Sequence, residues 1–199
     1  IVFGDWSSDV CSSDLARILD STGALALPDV PGKLLVVGGG YIGLELGTVY
    51  AALGSRVTVV EASPRLLQGA DEDLVAELRP RLEARLEALQ LSTRVTEAAV
   101  EGERVRVRLL GLDRDPGENL FFDRVLVAVG RKPVTQGLGL EATRVERDGR
   151  GFLVTDRQRR TAEPSIFAVG DVAGEPMLAH KAPYEARIAV EAVHRFSGR

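Results

Sequence analysis

The sequence holds a single cysteine, Cys11, a single tryptophan, Trp6, and two histidines, His180 and His194, in 199 residues. One thiol cannot close a disulfide within the chain, so a disulfide scaffold and an internal redox dithiol are both excluded for this polypeptide. The two histidines lack the partners of a metal site, so no metal is expected. No apolar run approaches the roughly 18 residues that a spanning helix needs, and no membrane association is expected. An excess of charge is missing too: 25 Lys plus Arg stand against 29 Asp plus Glu, a net charge of -4 that gives no electrostatic case for nucleic acid. With 45% hydrophobic residues, the chain is long enough for one domain and part of another.

What is present centres on residues 34–61, LLVVGGGYIGLELGTVYAALGSRVTVVE. The spacing predicts a strand, a glycine turn, a helix and a second strand. Gly38, Gly40 and Gly43 stand as GxGxxG. The first permits the tight turn, the second lets backbone approach a pyrophosphate, and the third lets the helix pack closely on the sheet. The helix carries apolar residues at Ile42, Leu46, Val49, Tyr50 and Leu53, stops at Gly54, and leads to a buried strand through Val57, Val59 and Val60. Phosphates would sit on the helix N-terminus, where unpaired N–H groups and the positive dipole end need no basic side chain. Glu61, eighteen residues after the third glycine, stands where a carboxylate accepts both hydroxyls of an adenosine ribose, which favours NAD over NADP. Arg65 leaves NADP open, because an arginine there can pair with a 2′-phosphate. The competing explanation is a glycine-rich turn that only lets a helix pack.

Farther along, Asp71, Glu72 and Asp73 open a helix whose apolar stripe is expected at Leu74, Val75, Leu78, Leu82, Leu86 and Leu89. Pro80 should kink this helix or begin a second piece. Residues 91–95 read as a strand, and residues 103–110, ERVRVRLL, alternate Val105, Val107 and Leu109 against Arg104, Arg106 and Arg108, an antiparallel strand with one wet face. A loop, GLDRDPGEN, follows. Residues 122–130, FDRVLVAVG, return as a buried strand whose end at Gly130 and Arg131 is where backbone approaches a ligand in doubly wound folds. Asp148, Gly149 and Gly151 make a turn, residues 152–155 a short strand, and residues 166–169 a buried strand that presents Asp171 after Gly170. Such an aspartate can bind a cofactor hydroxyl or equally cap the next turn. A last helix, about residues 182–196, is expected to bury Ile188, Ala189 and Val193. The fold class is α/β: a Rossmann-like parallel sheet with helices and an antiparallel β meander, plus part of a second domain of the same type.

Residues 1–15 stand apart. Neither the charged start nor the apolar core of a signal peptide is found there, and DWSSDVCSSDL, residues 5–15, resembles the translation, without a mismatch, of a common sequencing-adaptor oligonucleotide. Cys11 and Trp6 fall inside that string, which is expected to be non-native and to pack poorly, the other reading being a Ser/Asp-rich flexible leader. Residues 16–32, with Pro28 and Pro31, read as an interdomain connector.

The motifs DSTGALAL, GGGYIGLELGTVYAALGS, GADEDLV, VLVAVGRKP and IFAVGDVAGEPMLAHKA together resemble the middle of the flavin-dependent pyridine nucleotide-disulfide oxidoreductases, and among them the dihydrolipoyl dehydrogenases. The resemblance covers residues 17–199 and implies a FAD/NAD(P)-binding fold with NAD and FAD as cofactors. It implies residues 33–147 as the NAD-binding domain and residues 148–199 as an incomplete returning segment of the FAD-binding domain. By position, Gly38, Gly39, Gly40, Tyr41, Ile42, Gly43 and Glu61 would hold the NAD pyrophosphate and ribose. Val95, Ala128, Val129, Gly130 and Arg131 would line the same site, and Glu45 would lie toward the nicotinamide. Asp171 would bind the FAD ribityl chain, with Met177, Leu178, Ala179 and His180 along the flavin. Val134 departs from the family pattern, which has asparagine there. The family's CxxxxC disulfide and His-Glu pair fall outside this sequence, so no catalytic residue is assigned and the chain alone is expected to be inactive. The resemblance further implies a cytoplasmic homodimer that works with a lipoyl-bearing acyltransferase subunit of a 2-oxoacid dehydrogenase complex. A related mercuric or glutathione reductase, an NADH oxidase, or a stand-alone NAD-binding module remain the alternatives.

Overall fold

Strands that are apolar on both faces belong in the middle of a layered fold, and the runs KLLVV and RVTVV take that place. The computed structural model describes residues 17–27, 29–111 and 118–197; the adaptor-like string, Pro28 and most of the GLDRDPGEN loop lie outside the described residues. In chain order the elements are β1 (Ile18–Leu19), α1 (Ser21–Leu25), β2 (Lys33–Val37), α2 (Tyr41–Ala52), β3 (Arg56–Val60), α3 (Glu72–Glu83), β4 (Ala88–Gln90), β5 (Arg94–Glu101), β6 (Arg104–Leu110), β7 (Asn119–Phe122), β8 (Arg124–Val127) and α4 (Lys181–Ser197). Contacts divide the chain into two compact units, Ile1–Gly130 and Arg131–Arg199.

The first unit has three layers. A parallel sheet in the order β1-β8-β2-β3-β4 lies in the middle, and an antiparallel meander β5-β6-β7 covers one face. Because side chains alternate along a strand, Leu34, Val36, Val57, Val59 and Leu126 pack with Leu44, Tyr50, Leu66 and Leu82 on the helical side. Leu35, Val37, Val60 and Val125 pack with Val95, Ala98, Val105, Val107 and Phe122 on the meander side. Both strand runs are therefore buried twice over, as their composition predicts. Asp123 marks the passage from meander to parallel sheet: its Oδ2 accepts the Lys33 N–H at 2.8 Å and its own N–H donates to the Lys33 carbonyl at 2.9 Å. The arginine stripe of β6 faces an acidic one, Arg106 pairing with Glu97 at 2.8 Å and Glu101 at 2.6 Å.

Several local expectations are corrected. The buried face of α2 is Gly43, Leu44, Gly47 and Tyr50, while Val49 and Leu53 are half exposed; glycine, not the larger side chains, lets the helix lie against Val36, Val57 and Val59. Residues 91–95 are not one strand: Ser92 has φ 49 and the chain turns there between β4 and β5. Phe122 belongs to the meander and not to β8. The α3 helix runs through Pro80 and ends at Glu83, so Leu86 and Leu89 follow it, and Leu74 is exposed. Pro80 sits in the last turn, where its missing N–H costs one backbone bond.

Tyr50 ties α2 to α1, its buried hydroxyl donating to the Ala24 carbonyl at 2.9 Å. Burial pushes the phenol above its ordinary value of 10.0, helped by Asp29 and opposed by Arg124. A raised folded value means that its stabilisation is complete below pH 10.0 and is lost as pH rises through the folded value. Tyr50→Phe should cost about 1 kcal/mol at neutral pH. The gap between the two proteins should narrow in alkaline urea titrations, and a constant gap would disprove the linkage.

In the second unit, Asp148 Oδ1 accepts the N–H groups of Arg150 and Phe152, fixing the expected turn. The two strands expected there are replaced by single bridges, Arg147 to Leu153 and Arg160 to Phe167, because each segment meets one short partner and no continuous ladder. A 3-10 turn, Gly170–Ala173, follows and packs on α4. That helix buries Glu185, Ala189 and Ala192, whereas Val193 is 47% exposed.

Candidate functional site

At the carboxyl edge of the parallel sheet, β2 runs into Gly38, whose φ is 114 and whose N–H donates to the Val60 carbonyl at 2.8 Å. A Cβ on Gly38 would lie 2.4 Å from the Ala128 carbonyl oxygen, and one on Gly43 would lie 2.2 Å from the Gly38 oxygen. These two glycines are thus required by backbone against backbone. Gly40 is different: it is the N-cap of α2, no side chain caps the helix, and no atom lies within 4 Å of where its Cβ would be. The first-turn N–H groups of a helix have no acceptor within it, so this loop offers an open, uncapped, positive helix end suited to an anion.

Gly39, to which the spacing assigned no mechanical role, has both peptide groups engaged. Its N–H donates to Glu61 Oε2 at 2.7 Å, and its carbonyl accepts the Leu67 N–H at 3.0 Å. The other Glu61 oxygen, Oε1, accepts the Ser63 N–H at 2.7 Å. Each carboxylate oxygen keeps a second lone pair, so Glu61 is oriented and still able to accept a ribose hydroxyl. Arg65 is paired with Glu72 at the start of α3, which engages the one cation that kept NADP open.

Of the remaining candidates in this unit, Tyr41 and Glu45 are exposed on α2 and Ile42 is half buried. Ala128 closes on the sheet through its N–H to the Val37 carbonyl at 2.8 Å, and Val129 and Gly130 are exposed beyond it. Val95 is a buried member of the meander-side core, 5% exposed. The glycines, Glu61 and Ala128 are brought together at one edge.

In the second unit, Asp171 stands in the 3-10 turn and pairs with Arg131 at 2.8 Å. The turn is held from behind by Glu185, whose Oε2 accepts the Gly170 N–H at 2.7 Å. Lys181 Nζ donates to the carbonyls of Gly170 at 3.1 Å and Gly174 at 2.6 Å. Met177 is buried, Leu178 half buried, and Ala179 and His180 exposed. Sequence reasoning missed Ser63, Leu66, Leu67, Lys181 and Glu185. Only the spacing of Lys181 and Glu185, four apart on one helix, carried a signal for any of them.

The pattern of the family described as Pyridine nucleotide-disulphide oxidoreductase matches residues 11–186. The chain belongs to that family. Its members use a flavin and a pyridine nucleotide, and the chain is 45% identical over 177 residues to a dihydrolipoyl dehydrogenase of Vibrio cholerae, covering 89% of this chain and 37% of the relative. It is 47% identical over 182 residues to dihydrolipoyl dehydrogenase 2 of Haloarcula marismortui, covering 90% of this chain and 38% of the relative. The chain therefore spans somewhat over a third of the length of these relatives. Among solved structures, LpdA of Mycobacterium tuberculosis superposes with a TM-score of 0.78 at 30% identity, covering 94% of this chain and 40% of that one. The HOCl-induced flavoprotein disulfide reductase RclA of Escherichia coli gives 0.77 at 29%, covering 92% and 42%. The α/β architecture of parallel sheet, helices and antiparallel meander expected from the sequence is the architecture found. No helix among the described residues is long and apolar enough to cross a membrane.

Proposed function

We propose that this chain is the NAD-binding central part of a flavin-dependent dihydrolipoyl dehydrogenase. In this reading, the loop from Gly38 to Gly43 and the first turn of α2 hold the pyrophosphate, and Glu61 takes the ribose. Glu45, Val95, Ala128, Val129 and Gly130 flank the same nucleotide. Residues 33–147 correspond to the NAD-binding domain and 148–199 to the returning FAD segment, in which Asp171 and residues 177–180 face the flavin. The observation that carries it is the Glu61 carboxylate, fixed by the Gly39 and Ser63 N–H groups beside an uncapped helix end. The flavin, when bound, would relay electrons between a redox disulfide and NAD. The whole enzyme would oxidise protein-bound dihydrolipoamide as a cytoplasmic homodimer, served by a lipoyl-bearing acyltransferase of a 2-oxoacid dehydrogenase complex. The present chain alone would form no NADH from dihydrolipoamide.

Glu61→Gln tests the assignment. An amide must turn its NH2 toward one of two N–H donors, so one tether breaks and the charge facing the ribose is lost. NADH should bind about tenfold more weakly and the preference for NADH over NADPH should shrink. Equal binding of NADH by both proteins would sink the reading. The resemblance to RclA supports a second reading, a flavoprotein disulfide reductase of other substrate, which would keep the same NADH titration.

A further inference from the structure

We propose that the segment joining β3 to α3 is a clamp on the glycine loop, with Leu66 and Leu67 as positioning residues for the dinucleotide, an inference that rests on the NAD reading. Three contacts converge on Gly39. Glu61 takes its N–H, the Leu67 N–H takes its carbonyl, and Leu66 Cδ2 lies 2.7 Å from where a Cβ on Gly39 would be. Leu66 is 2% exposed, and Leu67 has φ 48, a conformation that a leucine rarely adopts. That conformation delivers its N–H to Gly39.

The consequence follows from peptide planarity. In a trans peptide the carbonyl and the next N–H point opposite ways. Fixing the Gly39 carbonyl on Leu67 therefore aims the Gly40 N–H away from the clamp. The clamp is itself anchored from its far side, with Ser92 N–H on the Ser63 carbonyl and Thr93 N–H on the Glu61 carbonyl, both at 2.9 Å. Against it lies a cavity of about 210 Å³ lined by Pro64, Arg65, Leu66, Ala70, Val75 and Leu91. Leu66 thus packs on the core on one side and borders open space on the other. The same loop that carries the ribose acceptor thus sets the peptide plane at the pyrophosphate, and the two halves of the nucleotide site are tuned together.

The test uses the full chain and NADH titration, each variant first verified as folded by circular dichroism. Leu66→Ala should weaken NADH about tenfold, or about 1.4 kcal/mol, and Leu66→Met should restore it. Gly39→Ala should weaken binding in the parent and cost less in the Leu66→Ala background, because the two groups meet. Amide exchange at Gly39 and Leu67 should quicken in Leu66→Ala before any nucleotide is added. NADH binding by the unmodified chain with no change in Leu66→Ala, unchanged amide exchange, or additive effects of Gly39→Ala and Leu66→Ala would each overturn the clamp alone. Failure of the unmodified chain to bind NADH would overturn the NAD reading and the positioning role with it.

Discussion

Gly43→Ala should abolish NADH binding and destabilise the first unit by roughly 3 kcal/mol or more, the upper part of the range for overpacking. The added methyl would stand 2.2 Å from the Gly38 carbonyl oxygen, a backbone atom and not the movable end of a side chain. Gly38 is held by its N–H to the Val60 carbonyl and the next strand end by the Ala128 N–H to the Val37 carbonyl, so relief must come from lifting α2 off the sheet. Lifting α2 separates Gly47 from Val36 and Val57 and strains the Tyr50 hydroxyl bond to Ala24. Gly40→Ala is the informative contrast. Its Cβ meets nothing within 4 Å, so the fold should melt near the parent temperature while NADH binds more weakly, the methyl standing where phosphate would approach. Thermal melts and NADH titration of both variants separate packing from binding. A Gly43→Ala protein that binds NADH like its parent would remove the packing role.

The contrast shows what spacing can reveal. GxGxxG flags three glycines with equal weight, and the two apolar runs beside it define the central strands, because burial on both faces leaves a continuous apolar signature. The helix between them turns Val49 and Leu53 outward despite their apolarity, since the glycines at its contact face carry no hydrophobic signal. Gly39 and Leu67 were invisible for a different reason: their pairing is a backbone bond between loops 28 residues apart, and no side-chain pattern reports it. The same limit applies to residues 91–95, where a positive φ at Ser92 broke an apparently regular strand. In the second unit, short segments that resemble strands by composition form only single bridges, because a ladder depends on partners that local sequence does not specify.

Glu185 is the clearest case of a residue whose type misleads, and its removal should be the most damaging change in the second unit. A glutamate in an amphipathic helix is ordinarily solvated, yet this one is 3% exposed. Its Oε1 lies 3.1 Å from Arg159 and 3.4 Å from Lys181, while Oε2 accepts the Gly170 N–H. Glu185→Leu would leave two cations without their counter-charge and the buried Gly170 N–H without its acceptor, and breaking one side of a buried pair costs about 3–5 kcal/mol. Glu185→Gln keeps an acceptor for Gly170 and should cost less, which separates the hydrogen bond from the charge. Because Gly170 precedes Asp171 in the 3-10 turn, loosening one should free the other. Limited proteolysis of the full chain should then show new cleavage between residues 159 and 185 in Glu185→Leu, with the first unit still intact. If Glu185→Leu resisted protease as the parent does, the buried carboxylate would not be what holds the turn that presents Asp171.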